Sequence, residues 1–168
     1  MTHSERERLF LDIFDTHRAR IQRLCLGYLN SASESEDLFQ EIMTNVWNSL
    51  PGFRGDSQPG TWVYRIAVNT ALLHRRKWKP TEELSDLPDS STGPQQKLEH
   101  EERLAALYAA IATLSDQDRV IVTLLLEGLS YREIAEITGI TVNYVGVKIT
   151  RIKQAIEQQI MEAAHGAV

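Results

Sequence analysis

Apolar residues recur at three- and four-residue steps along almost the whole chain, and no stretch alternates with the period of two that a strand requires. Leu9, Ile13, Ile21, Leu24 and Leu29 predict a helix from about residue 5, broken near residues 27–30. Ser33 with Glu36 has the spacing of a capping box and predicts a second helix through Leu38, Phe39, Ile42, Val46 and Trp47, ending at Pro51-Gly52. A Gly-, Asp-, Ser- and Pro-rich loop spans residues 52–60. Thr61 then opens a helix to about Trp78, with Trp62, Ile66, Thr70 and Leu73 on one face and Arg65, Asn69, Leu72 and Arg76 on a separate stripe. Further on, Leu98, Leu104, Leu107, Ile111 and Leu114 predict one helix. Val120, Ile121, Leu124 and Leu125 predict another, capped by Ser115 and ended near Gly128. Ser130 with Glu133 predicts a short helix stopped by Gly139. Thr141 caps a long one whose inward face is Val142, Val145, Ile149, Ile152, Ile156 and Ile160.

Between these halves lies a segment with Pro80, Pro88, Pro94 and the run Ser90-Ser91-Thr92-Gly93. Its low apolar content predicts a flexible tether. The expected architecture is therefore all-α, two small helical domains over residues 1–79 and 98–168 joined by an acidic linker over 80–97. With 168 residues and 42% hydrophobic side chains, the chain can build real cores. Its one cysteine, Cys25, lies among Leu24, Leu26 and Leu29 and reads as a packed thiol in a reducing compartment, which excludes disulfides and cysteine-rich zinc sites. No apolar run reaches the ~18 residues of a membrane span, and the first residues lack a hydrophobic signal core. A soluble, cytoplasmic protein is expected.

Net charge is −5, but it is segregated. Residues 57–81 hold no acid against Arg65, Arg75, Arg76, Lys77 and Lys79. Residues 82–102 carry Glu82, Glu83, Asp86, Asp89, Glu99, Glu101 and Glu102 against Lys97 alone, and residues 137–156 are again free of acids, with Lys148, Arg151 and Lys153. Two basic elements flanking an acidic connector suit a protein that touches a polyanion at two places.

The two capped helices around Gly139 have the form of a DNA-binding helix-turn-helix. At 100 degrees per residue the outer face of the second helix carries Asn143, Val147, Arg151 and Gln154, flanked by Tyr144, Thr150 and Lys148, which can meet phosphates and base edges. An ordinary helical bundle accounts for the same periodicity. Asp37, Gln40 and Glu41 share the outer face of the second predicted helix, which by itself reads as a solvated surface. Trp62 and Tyr64 beside an irregular loop, with Arg75, Arg76 and Lys77 at the far end of their helix, suit unstacked bases and phosphates, although the apolar-face position of Trp62 reads first as core. The histidines (His3, His17, His74, His100, His165) lack metal spacing and no Gly-rich phosphate loop precedes a helix, so an enzyme is the least expected class.

Three segments together, Glu36-Asp-Leu-Phe-Gln-Glu41, Phe53-Arg-Gly-Asp-Ser with Thr61-Trp-Val-Tyr-Arg-Ile-Ala-Val-Asn69, and Gly128-Leu-Ser-Tyr-Arg-Glu-Ile-Ala-Glu136, resemble the compact two-domain bacterial sigma factors of the extracytoplasmic-function (ECF) group. The resemblance implies that Asp37, Gln40 and Glu41 bind core RNA polymerase. It implies that the 52–60 loop with Arg54, and the helix with Trp62, Tyr64, Arg65 and Asn69, capture flipped bases of the −10 element. Arg75, Arg76 and Lys77 would hold the adjacent duplex. The C-terminal domain would read −35 DNA through Arg132, Thr141, Asn143, Tyr144, Val147, Lys148 and Arg151. It further implies promoter DNA and an anti-sigma factor as partners, a linker threading the RNA-exit path, and neither cofactor nor metal. The chain departs from the pattern at Leu73, where an Asp is usual, at Asn143-Tyr-Val-Gly146, and at Gln58-Pro59-Gly60, which replaces an aromatic. The rival expectations are a duplex-binding regulator that works without polymerase and an interaction bundle with incidental charge.

Overall fold

In a computed structural model, which describes residues 1–77 and 94–166, every regular element is helical. The helices are α1 (His3–Leu29), α2 (Ala32–Ser49), α3 (Pro59–Lys77), α4 (Pro94–Ala112), α5 (Asp116–Leu126), α6 (Tyr131–Thr138) and α7 (Val142–His165), with a 3-10 turn at Leu50–Gly52. The tether expected over 80–97 falls mostly outside the described residues. Its last four positions are helical, because α4 begins at Pro94, where a missing N–H costs nothing.

Helices α1, α2 and α3 pack on one another around Ile21, Leu24, Tyr28, Leu38, Ile42, Val46, Val63 and Ala67. Helix α1 runs unbroken through Gly27 and ends at Asn30, which takes the left-handed conformation (φ 52°) and returns its N–H to the Leu26 carbonyl at 2.7 Å. The second helix is capped by Ser31, not Ser33: the Ser31 hydroxyl accepts from the Glu34 N–H, two residues earlier than the capping-box spacing suggested. Arg6 ties α1 to α2 by donating to the Trp47 carbonyl while its guanidinium lies 4.1 Å from the centre of the Trp47 ring.

Helix α3 begins at Pro59, with the Trp62 N–H bonded to the Gln58 carbonyl at 3.1 Å. Its buried face is Val63, Tyr64, Ala67, Val68, Thr70, Ala71 and His74, so the expected face through Trp62, Ile66 and Leu73 is rotated; Leu73 is 53% exposed. Small residues at 67 and 71 let α3 approach α1 and α2 closely, an advantage that a count of large apolar residues undervalues. Across this contact the Asn45 amide donates to the Thr70 hydroxyl at 3.0 Å.

The C-terminal half packs α5, α6 and the first turns of α7 around Ile121, Leu124, Ile134, Val145, Ile149 and Ile152, with α4 against α7. Ser115, Ser130 and Thr141 cap α5, α6 and α7 as expected, and Ser130 with Glu133 forms a complete capping box. Gly139 closes α6 at φ 76°, a conformation that favours glycine. Val142 and Ile160, expected inward, are exposed at either end of α7, while the middle of the stripe is buried.

The two halves are in contact in this structure. Helix α1 packs on α4 and α5, and α3 on α6, so the buried side chains form one continuous cluster.

Candidate nucleic-acid and polymerase-binding interface

On α2, Leu38, Ile42 and Val46 face inward, which leaves Asp37 and Gln40 exposed one turn apart. Glu41, expected beside them, is half-buried and its carboxylate lies 2.9 Å from Nδ1 of the buried His74 of α3. It ties α2 to α3 while Asp37 and Gln40 remain open to a partner.

The loop after α2 and the first turns of α3 enclose a recess of about 270 Å³ lined by Gly52, Phe53, Arg54, Asp56, Ser57, Trp62, Arg65 and Glu136. Trp62 packs against Phe53 at 4.8 Å between ring centres, so it forms an aromatic wall of the recess while remaining half-buried. Gly55 turns the loop at φ 78°. Arg54 and Asn69 are exposed. Tyr64 is not on this surface: only 4% exposed, it is part of the core, and burial pushes its phenol up while the neighbouring Arg20 opposes that shift. At the other end of α3, Arg75 is half-buried and paired with Asp116 at 2.9 Å. Arg76 and Lys77 follow it in α3, and their side chains lie outside the described residues.

The outer face of the helix-turn-helix presents Arg132, Thr141, Asn143, Tyr144, Val147 and Arg151, all exposed. The Thr141 hydroxyl accepts from the Tyr144 N–H at 3.1 Å, which fixes the N-terminus of α7 that would enter a groove. Lys148 is drawn away from this face: its ammonium donates to Asp118 of α5 at 2.9 Å and lies 5.6 Å from the Tyr144 ring centre. The Asp118 hydrogen bond raises the Lys148 pKa and keeps it charged. Gly146 is not forced by crowding, since a Cβ there would meet only the Tyr131 ring at 3.7 Å, an ordinary contact.

Sequence reasoning missed a third set of polar residues, Arg23, Arg119 and Glu127. Arg119 is buried and donates to the carbonyls of Tyr28, Ala112 and Leu114. Arg23 of α1 makes a forked contact with Glu127 at 3.0 to 3.2 Å. The residue types gave no signal, because the Arg23–Glu127 and Arg119–Tyr28 contacts that join the two halves each span about a hundred positions.

Burial pushes the Cys25 thiol up to about 12, so it is inert packing. Among the described residues no group of acidic, histidine and cysteine side chains is placed to hold a metal, and no helix is long and apolar enough to cross a membrane.

A three-helix bundle with an aromatic and basic recess, followed by a capped helix-turn-helix, defines a two-module DNA-reading protein. The family description of sigma-70 region 2 matches residues 13–80, and that of sigma-70 region 4 matches residues 104–156. The chain is 32% identical over 158 residues to the ECF RNA polymerase sigma-E factor of Escherichia coli, covering 86% of this chain and 82% of that protein. It is 29% identical over 167 residues to the ECF RNA polymerase sigma factor SigW of Bacillus subtilis, covering 91% and 89%. Among solved structures, CnrH in complex with the cytosolic domain of CnrY shares the fold at a TM-score of 0.70, 18% identity and 94% and 90% coverage. The sigma factor RpoE with the anti-sigma factor NepR from Bartonella quintana shares it at 0.69, 16% identity and 92% and 96% coverage. The chain belongs to the sigma-70 family and is a sigma factor of the ECF type.

Proposed function

We propose that this ECF sigma factor directs promoter-specific initiation by dividing the work among three surfaces. Asp37 and Gln40 dock on core RNA polymerase, the recess of Arg54, Trp62 and Arg65 with Asn69 takes bases extruded from the −10 element, and the outer face of α7 reads −35 duplex. The observation that carries the reading is the pairing of an aromatic-walled, arginine-lined recess with a separate exposed recognition face on one chain. Extruding a base costs a few kcal/mol of stacking and pairing, and stacking on an aromatic side chain returns roughly 1–3 kcal/mol per base. The half-buried Trp62 ring against Phe53 supplies such a platform, and Arg65 and Arg54 meet the phosphates on either side.

On α7, Asn143 suits adenine through its amide, Val147 a thymine methyl, and Arg151 a guanine or phosphate. Arg132 and Tyr144 border that face, and Thr141 positions the helix end. Tyr64 and Glu41 serve this scheme from within, as core and as the α2–α3 link. Arg75, Arg76 and Lys77, at the far end of α3, are the contacts for adjoining duplex. The protein acts in the cytoplasm without a cofactor and without catalysing a reaction itself. An anti-sigma factor, the kind of partner named for the RpoE structure, is its regulator.

Binding to core with and without these side chains tests the division. Asp37→Ala with Gln40→Ala is expected to weaken co-elution with core while leaving the fold intact. Asn143→Ala with Arg151→Ala is expected to leave core binding intact and lower −35 discrimination by about 1–3 kcal/mol per lost base contact. Unchanged −35 preference in the second variant refutes the assignment of α7.

A further inference from the structure

A second cleft, of about 500 Å³, opens between the middle of α1, the N-terminus of α3 and α6. It shares only Glu136 with the recess bounded by Phe53 and Trp62, and the promoter and polymerase surfaces proposed above make no use of it. We propose that this cleft binds a small zwitterion with an apolar tail, of which a free aliphatic α-amino acid is the simplest form.

Two buried polar atoms in the cleft await a ligand. Tyr64 is 4% exposed, and neither its hydroxyl nor Nδ1 of His17 has a hydrogen-bond partner among the described residues. The two rings meet edge to face at 6.3 Å between centres, so both polar atoms belong to one part of the cleft. Burying such groups unpartnered is costly, and a ligand atom within reach of them removes that cost. The Arg20 guanidinium stands beside the Tyr64 phenol and opposes the rise in its pKa without reaching hydrogen-bond geometry.

Donors for a carboxylate converge on the same part. Gly60 lies against His17, where a Cβ would stand 3.1 Å from Cε1 of the ring, so the start of α3 comes close to α1. The N–H groups of Gly60 and Thr61 open that helix, where no carbonyl one turn back within it can accept them. With the Tyr64 hydroxyl and Arg20 they present a positive, donor-rich end.

The other end is negative. Asp12 lies two turns before Arg20 on α1, about 12 Å at 1.5 Å per residue. Glu133 and Glu136 also line the cleft, but Glu133 accepts from the Ser130 N–H at 2.7 Å and Glu136 pairs with Arg65 at 3.6 Å. Asp12 is therefore the carboxylate left for an ammonium. Burial and Arg20 hold His17 neutral, so its ring adds charge to neither end. Ile13, Leu129 and Ile137, all buried, give the cleft an apolar floor for the tail. A simple anion would face Asp12, and a simple cation would face Arg20 and the start of α3, so one charge of each sign is the complementary arrangement.

The sigma-factor role is not a premise of this site, and the unliganded full chain suffices to test it. Isothermal titration calorimetry uses L-leucine, isocaproate and isoamylamine, which share the branched tail and differ in their charged groups, with L-methionine and L-phenylalanine as further tails. At least one amino acid should bind, and for leucine each single-charge analogue should bind at least tenfold more weakly. Tyr64→Phe removes only an unpartnered hydroxyl. It should leave the ligand-free melting temperature equal or higher and weaken amino-acid binding by roughly three- to tenfold. Asp12→Asn and Arg20→Gln, at exposed positions of α1, should each weaken it by about tenfold. No binding of the three amino acids at millimolar concentration overturns the proposal. So does equal binding of either analogue, or binding that Tyr64→Phe and Arg20→Gln leave unchanged.

Discussion

Replacing Arg119 by alanine probes the most demanding contact in the protein. Arg119 is 3% exposed, pairs with no carboxylate among the described residues, and donates from its two terminal nitrogens to three carbonyls, Tyr28 at 3.2 Å, Ala112 at 2.6 Å and Leu114 at 3.2 Å, while its Nε is buried without a partner. Two of these close the α4–α5 turn and the third reaches α1. Hydrogen bonds to a charged group contribute about 1.5–3 kcal/mol each, so the gross loss is roughly 5–9 kcal/mol. Removing a buried charge recovers several kcal/mol of desolvation. A net destabilisation of about 2–4 kcal/mol is expected. Arg119→Lys should recover little of it, since a compact ammonium cannot fork to three separated carbonyls. Urea denaturation followed by far-ultraviolet circular dichroism measures the loss. Trp47, Trp62 and Trp78 all precede the C-terminal half, so their fluorescence reports chiefly the N-terminal half. The dichroism midpoint should fall further than the fluorescence midpoint, because most of the lost bonds lie in the C-terminal half. A loss below about 0.5 kcal/mol would refute the view that these carbonyls depend on Arg119.

Gly146→Ala should raise the stability of the C-terminal half by up to about 1 kcal/mol, read as a higher melting temperature, because a Cβ there meets only ordinary contact with Tyr131. Ser130→Ala removes the bond that the Ser130 hydroxyl accepts from the Glu133 N–H, leaving the reciprocal backbone bond to the Glu133 carboxylate, and should cost about 1 kcal/mol, measured by the same melt. Burial, reinforced by Arg20, lowers the pKa of His17. Its neutral form is thus favoured by folding, and the associated stability is full above the ordinary value near 6.5 and is lost as pH falls below it. Urea midpoints between pH 7.5 and 5.5 should decline less in His17→Gln than in the unsubstituted chain. The backbone bond to Ser130 lowers the Glu133 pKa, so the capping-box contribution should persist at neutral pH and disappear as pH falls below the carboxylate range.

Periodicity and caps made most of the architecture legible in advance. Ser115, Ser130, Thr141 and Gly139 act locally, through bonds to residues three or four positions away, so their roles follow from spacing alone. The rotation of α3 was hidden because its buried face is built from Ala67, Ala71, Thr70 and His74, whose value depends on how closely neighbouring helices approach. Tyr64 was misplaced for the same reason, since an aromatic next to a loop suits a base or a core equally until the helix phase is known. Lys148 was expected beside the outer face of α7 and is drawn instead to Asp118, thirty positions away. The docking of the two halves was illegible: segregated charge suggested two separated contacts with a polyanion, and in this structure Glu136, Asp116 and Glu127 answer Arg65, Arg75 and Arg23 within the chain.

The central claim, that this chain confers promoter specificity on RNA polymerase, is tested most directly by run-off transcription. Genomic fragments are incubated with purified bacterial core enzyme, with and without the protein. Discrete transcripts that appear only with the protein, and weaken when Asp37 and Gln40 are replaced by alanine, are the expected result. The contradicting result is a transcript pattern unchanged by the protein, while the protein alone binds duplex DNA specifically.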